Sequence, residues 1–125
     1  MNRNSVPRTL LVAEDEPIVR MALVEVLKDA GYSVLEASDG KRGQVICSEC
    51  RVDLLISDIK MPGASGYELA DTARKFNPEV RIILLTGYTK EPLPEGLRQA
   101  HIRIIRKPFE FQEILAETER LLFSV

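Results

Sequence analysis

Five short apolar runs recur along this chain: Leu10–Ala13, Val34–Leu35, Leu54–Ile56, Ile82–Leu85 and Ile102–Ile105. Longer amphipathic stretches separate them. No other feature narrows the fold as much. The first, third and fourth runs are almost purely Leu, Ile and Val, the pattern of strands covered on both faces. The second is short and flanked by Ser33 and Glu36, and the fifth is broken by Arg103. Those two read as edge strands with part of a face in water. Strands that alternate with helices build a parallel sheet wound with helices on both sides. Three interior strands and two edges predict an α/β, (βα)5 doubly wound parallel sheet in the order 2-1-3-4-5.

The gaps carry helix signals. Pro17 after Asp15-Glu16 is a helix start with proline in the first turn. Ile18, Ala22 and Val26, with Leu23, Leu27 and Ala30, form the predicted apolar stripe, and Arg20, Glu25, Lys28 and Asp29 the opposite side. Gly31 ends that helix. Asp39-Gly40 opens a second helix that runs to about Cys50. Ser65-Gly66-Tyr67-Glu68 is a capping box before a third, whose stripe is Leu69, Ala73 and Phe76, and Asn77-Pro78 stops it. Pro92 and Pro94 delay any helix after the fourth strand to Pro94–Gln99. Phe111, Ile114, Leu115, Thr118, Leu121 and Leu122 make the last helix amphipathic.

At 125 residues the chain is the size of one domain. Its 45% apolar and 29% charged residues are ordinary for a soluble globular protein. A net charge of −2 requires no strongly basic face, which counts against a nucleic-acid binder. The N-terminus lacks an apolar signal core, and no apolar run approaches the roughly 20 residues that cross a bilayer. A cytoplasmic protein, with no direct nucleic-acid or membrane partner, is expected.

In such a sheet, ligands bind beyond the C-terminal strand ends, where strands one and three diverge. The polar residues predicted there are Glu14, Asp15 and Glu16 after strand one, Asp58 after strand three, Thr86 ending strand four and Lys107 after strand five. Crowded carboxylates resist ionisation, so the cluster makes sense around a hard cation. Mg²⁺ suits it, because that ion takes one or two carboxylates, waters and phosphate oxygens. Lys107 and the Thr86 hydroxyl are donors in need of an acceptor, which a phosphoryl group would supply. Singly, each residue also has an ordinary structural use: Asp15 as a helix cap, Asp58 in a turn before Pro62-Gly63, Thr86 at a strand end and Lys107 as a solvated charge.

The segments LLVAEDEP (Leu10–Pro17), LLISDIKMPGASGYELA (Leu54–Ala70), IILLTGY (Ile82–Tyr88) and IIRKPF (Ile104–Phe109) resemble the receiver domain of bacterial two-component response regulators. Their order and spacing agree over about residues 8–123. The resemblance implies a single flavodoxin-like receiver domain over 1–125, with Asp58 as phosphoacceptor. It implies Mg²⁺ held by Asp15, Asp58 and the Lys60 backbone carbonyl, with Glu14 acting through water. It makes Thr86 the switch hydroxyl and Lys107 the lysine on the phosphoryl group, with backbone N–H groups of Lys60 and Gly87 facing its oxygens. The donor would be a histidine kinase or histidine phosphotransfer protein, and the output a downstream protein target, with a homodimer left open. The domain would catalyse only its own phosphorylation and dephosphorylation, and so would not be an enzyme. Lys60 and Tyr88 would flank the mouth and tune the access of water.

Two positions depart from the family pattern. The acidic pair is Glu14-Asp15 where Asp-Asp is commoner. Ile104 stands where an aromatic switch residue is usual, which moves the expected switch to Thr86 and the loop through Tyr88–Ala100. A receiver that binds partners without phosphorylation is the alternative. A phosphatase of the haloacid dehalogenase type fails because Lys60 stands where its second acid is needed, and no G-x-G-x-x-G follows strand one. Cys47 and Cys50 lack the partners of a zinc site and read as packing or exposed thiols. His101 falls at the far end of strand five. Met1 reads as a natural start, and both a stand-alone regulator and a receiver cut from a longer one fit.

Overall fold

The computed structural model describes residues 7–87 and 101–123. Its elements are β1 (Thr9–Ala13), α1 (Pro17–Asp29), β2 (Ser33–Ala37), α2 (Gly40–Glu49), β3 (Leu54–Asp58), α3 (Gly66–Phe76), β4 (Arg81–Thr86), β5 (His101–Arg106) and α4 (Phe111–Phe123). All four strand pairings are parallel, and the sheet runs β2-β1-β3-β4-β5. The predicted order is the observed one. The helix expected at Pro94–Gln99 lies outside the described residues.

Side chains alternate across a strand with a period of two, and the core divides accordingly. Leu11, Ala13, Leu55, Ile82 and Leu84 pack with Ile46, Leu69, Ala70 and Ala73 beneath α2 and α3. Leu10, Val12, Leu54, Ile56, Ile83 and Leu85 pack with Leu23, Val24, Leu27, Ile114 and Leu121 beneath α1 and α4. Every residue of β3 is buried, the polar Ser57 and Asp58 that follow its apolar run included. β5 is exposed at four of its six residues, as an edge strand should be.

The helices start where their caps dictate. Asp39 accepts from Arg42 N–H at the head of α2, and the Ser65–Glu68 capping box closes in both directions. The phase of two helices differs from the expected stripe. In α1 the buried residues are Leu23, Val24 and Leu27, whereas Ile18 is 82% exposed and Ala30 is exposed. Ile18 lies about 140° around the helix axis from Leu23 at 3.6 residues per turn, so one packed face cannot hold both. In α3 the buried face is Leu69, Ala70 and Ala73, and Phe76, in the last turn, is 58% exposed.

Close approaches between layers use glycine. A Cβ on Gly66 would sit 2.3 Å from the Asp58 carbonyl oxygen and 2.8 Å from Ile59 Cα. The start of α3 therefore rests directly on the chain leaving β3.

Candidate functional site

β1 and β3 are neighbours, and their last paired residues are Ala13 and Ser57. One step further brings Glu14 and Asp58 to the same rim. Glu14 is fully buried and Asp58 is 7% exposed, whereas Asp15 is exposed. Carboxylate oxygens of Glu14, Asp15 and Asp58 all lie within 4.8 Å of one another. Thr86 ends β4, buried, and its carbonyl accepts from the Lys107 N–H at 2.7 Å. That bond delivers Lys107 to the cluster. Its Nζ donates to Asp58 Oδ2 at 2.9 Å and stands 3.8 Å from Glu14 Oε1 and 4.0 Å from Glu16 Oε1. Lys107 precedes Pro108 through a cis peptide bond.

The electrostatics follow from crowding and burial. Burial pushes the Glu14 carboxyl up to about 7, and the charge of Asp58 adds to the rise; the Glu16 N–H and Lys107 oppose it. For Lys107, burial works against the ammonium, but the hydrogen bond to Asp58 and the charges of Asp58, Glu14 and Glu16 outweigh it and hold its pKa above the usual lysine value.

The capping use of Asp15 is not realised. The N-cap of α1 is Glu16, with no side-chain cap bond, and Pro17 begins the helix. Asp15 is thus left to the acidic cluster. Glu14 Oε2 accepts from Glu16 N–H at 3.2 Å, but Glu14 Oε1 is buried without a hydrogen-bond partner among the described residues. Buried polar atoms are rarely left so. An orphaned carboxylate oxygen among three hard oxygen donors fits a divalent cation of the Mg²⁺ class.

Lys60 is exposed in the bend after β3, and Gly87 is exposed in the bend after β4. Tyr88 lies outside the described residues. The apolar stripe predicts Arg20 on the solvent side of α1. The structure instead turns it onto the site, where its Nη1 donates to the Glu14 carbonyl at 2.7 Å. The close approach of Gly66 to the Asp58 backbone also has no signal in the sequence. In both cases the partner is a backbone carbonyl, which leaves no mark on residue type. His101 is exposed at the opposite end of the sheet. Cys47 is buried in the α2 side of the core, Cys50 is exposed, and both are free thiols.

Residues 10–119 match the response regulator receiver domain model. The chain belongs to the response regulator receiver domain family. This receiver domain is 31% identical over 118 residues to the response regulator receiver protein CpdR of Brucella abortus, covering 94% of this chain and 98% of that protein. It is 34% identical over 119 residues to the transcriptional regulatory protein PdtaR of Mycobacterium tuberculosis, covering 92% of this chain and 57% of that protein. Among solved structures, the response regulator TrrA of Thermotoga maritima in complex with Mg(2+)-BeF superposes with a TM-score of 0.79 at 34% identity, over 91% of this chain and 98% of that one. A CheY-like receiver domain of Methanospirillum hungatei gives a TM-score of 0.83 at 25% identity, over 93% and 94% of the two chains. Among the described residues, no helix is long and apolar enough to cross a membrane.

Proposed function

We propose that this receiver domain takes a phosphoryl group onto Asp58 from the phosphohistidine of a histidine kinase or histidine phosphotransfer protein. One observation carries the reading. Buried Asp58 stands between the Lys107 ammonium at 2.9 Å and the Glu14 and Asp15 carboxylates, and Glu14 Oε1 is buried without a partner among the described residues. An isolated capping or turn residue has no need of that company.

Lys107 holds Asp58 Oδ2, so the other carboxylate oxygen is the nucleophile. It attacks phosphorus as the phosphorus–nitrogen bond breaks, giving an acyl phosphate and returning the imidazole to the donor. Lys107, already bonded to Asp58, neutralises charge on the transferring group. Asp15, Asp58 and the Lys60 carbonyl would hold Mg²⁺, with Glu14 through water, and the ion would supply further charge neutralisation. Backbone N–H groups of Lys60 and Gly87 face the phosphoryl oxygens. The new group adds negative charge and acceptors at the rim. Thr86 then turns its hydroxyl to one of them and draws Gly87 with it. Ile104, 45% exposed on β5, has no ring to toggle, so the signal leaves through Thr86 toward a downstream protein target. The domain is both substrate and self-catalyst and is not a turnover enzyme.

The test is intact mass after incubation with acetyl phosphate and Mg²⁺. The wild type gains one phosphoryl group, and Asp58→Asn gains none. Incorporation that survives Asp58→Asn refutes the assignment. A wild type that takes no phosphoryl group from acetyl phosphate or from a phosphorylated kinase selects the phosphorylation-independent binding module.

A further inference from the structure

Where β1 ends, the backbone needs a partner it does not find in the sheet. Glu14 N–H donates to the Ala37 carbonyl at 3.1 Å, and Ala37 is the last residue of β2. The Glu14 carbonyl lies past the last strand pairing, beside a fully buried side chain. A buried carbonyl left alone costs as much as a lost hydrogen bond. Arg20 supplies the partner. Its Nη1 donates to Glu14 O at 2.7 Å, and its Nε donates to Glu36 Oε1 on β2 at 3.3 Å. The Arg20 side chain is 18% exposed. Two acceptors from two neighbouring chain segments fix the plane of the guanidinium, a geometry that an ammonium cannot copy.

Glu14 is thereby pinned at its N–H by Ala37, at its carbonyl by Arg20 and at Oε2 by the Glu16 N–H. Oε1 alone is left toward the cluster. The carbonyl that Arg20 grips belongs to the peptide joining Glu14 to Asp15, so the orientation of that peptide sets where the Asp15 side chain begins. We propose that Arg20, anchored by Glu36, is a positioning residue for the acidic site, holding the Glu14–Asp15 peptide so that both carboxylates converge with Asp58. This rests on the cation-binding reading of the site above.

Charge and geometry make opposite demands here. A guanidinium beside a cation site repels the cation, so if Arg20 acted by charge its removal would tighten Mg²⁺ binding. If it acts by position, removal weakens binding. The experiment is titration of Mg²⁺ into the wild type, Arg20→Gln, Arg20→Lys and Glu36→Gln, read by amide shifts, with urea unfolding alongside. Arg20→Gln is expected to raise the Mg²⁺ Kd about tenfold, the low end of what losing an orienting partner of a metal ligand costs. Arg20→Lys keeps the charge but bridges only one acceptor, and recovers part of the loss. Glu36→Gln raises Kd less than Arg20→Gln. An Arg20→Gln Kd equal to or below the wild-type value overturns the proposal, as does a fall in stability with no fall in affinity. Should Arg20→Gln fail to fold, Arg20→Lys and Glu36→Gln decide by the same criterion. A wild type that binds no Mg²⁺ brings down the reading of the site itself, whereas a wild type that binds while the variants match it brings down the Arg20 proposal alone.

Discussion

Gly66→Ala is a small change with a large expected effect, because of what the new methyl would meet. Its Cβ would sit 2.3 Å from the Asp58 carbonyl oxygen, 2.8 Å from Ile59 Cα and 3.1 Å from the Asp58 carbonyl carbon. All three are backbone atoms, so no flexible side-chain tip can swing aside. Overpacking of this kind costs about 1–3 kcal/mol. The Gly66 N–H also donates to the Ile59 carbonyl at 2.8 Å, a bond worth about 1 kcal/mol net that lengthens if α3 retreats. The stiffer unfolded chain returns about half a kcal/mol. The expected loss is therefore about 1.5–3.5 kcal/mol, read as a lower midpoint in urea. Gly87→Ala is the matched control on the same rim. Among the described residues nothing lies within 4 Å of its added Cβ, and its φ is not positive, so it should stay within about 0.5 kcal/mol of wild type. Gly66→Ala should also slow acetyl-phosphate labelling, since relief of the clash displaces Asp58, the proposed phosphoacceptor. Equal midpoints for Gly66→Ala and wild type, or equal losses at the two glycines, would refute the reasoning.

Three further outcomes are expected. The metal-free domain should lose stability as pH rises from about 4.5 to about 7, because Glu14 holds its proton longer when folded than when unfolded, where its pKa is near 4.5; a raised carboxyl pKa favours the folded state below that window and disfavours it above, by about 3 kcal/mol here. Urea midpoints across that range should show it, and Glu14→Gln should flatten the slope; a variant with the wild-type slope would place the titration elsewhere. Thr118 is fully buried with a hydroxyl that has no partner among the described residues, so Thr118→Val, of nearly equal shape, should stabilise by about 1 kcal/mol in calorimetry, and a destabilised variant would show that the hydroxyl is satisfied. Burial, with the neighbouring Cys50 adding to it, pushes the Cys47 thiol up to about 11, so at pH 8 an alkylating reagent should modify exposed Cys50 quickly and Cys47 only on unfolding; two fast thiols in a mass-resolved time course would contradict this.

Much of this protein is dictated by local pattern. Runs such as Leu54–Ile56 bury on both faces wherever they sit, so they mark interior strands, while Arg103 and Glu36 mark edges. From interior and edge strands the order β2-β1-β3-β4-β5 follows, and with it the rim where Asp15, Asp58, Thr86 and Lys107 lie, because a strand end is a position in sequence as much as in space. The rotation of each helix about its own axis is not local. α1 carries apolar residues around most of its circumference, and only its packing on the sheet selected Leu23, Val24 and Leu27 over Ile18. That same rotation brought Arg20 from the expected solvent side onto the Glu14 carbonyl. The burial of Glu14, and hence its raised pKa, depends on neighbours from other strands and helices. The glycine at position 66 reads only as part of a capping box until the Asp58 backbone is seen against it. Residue type records which groups a side chain offers, but the backbone carbonyls they meet are the same at every position, so those contacts exist only once the chain has folded.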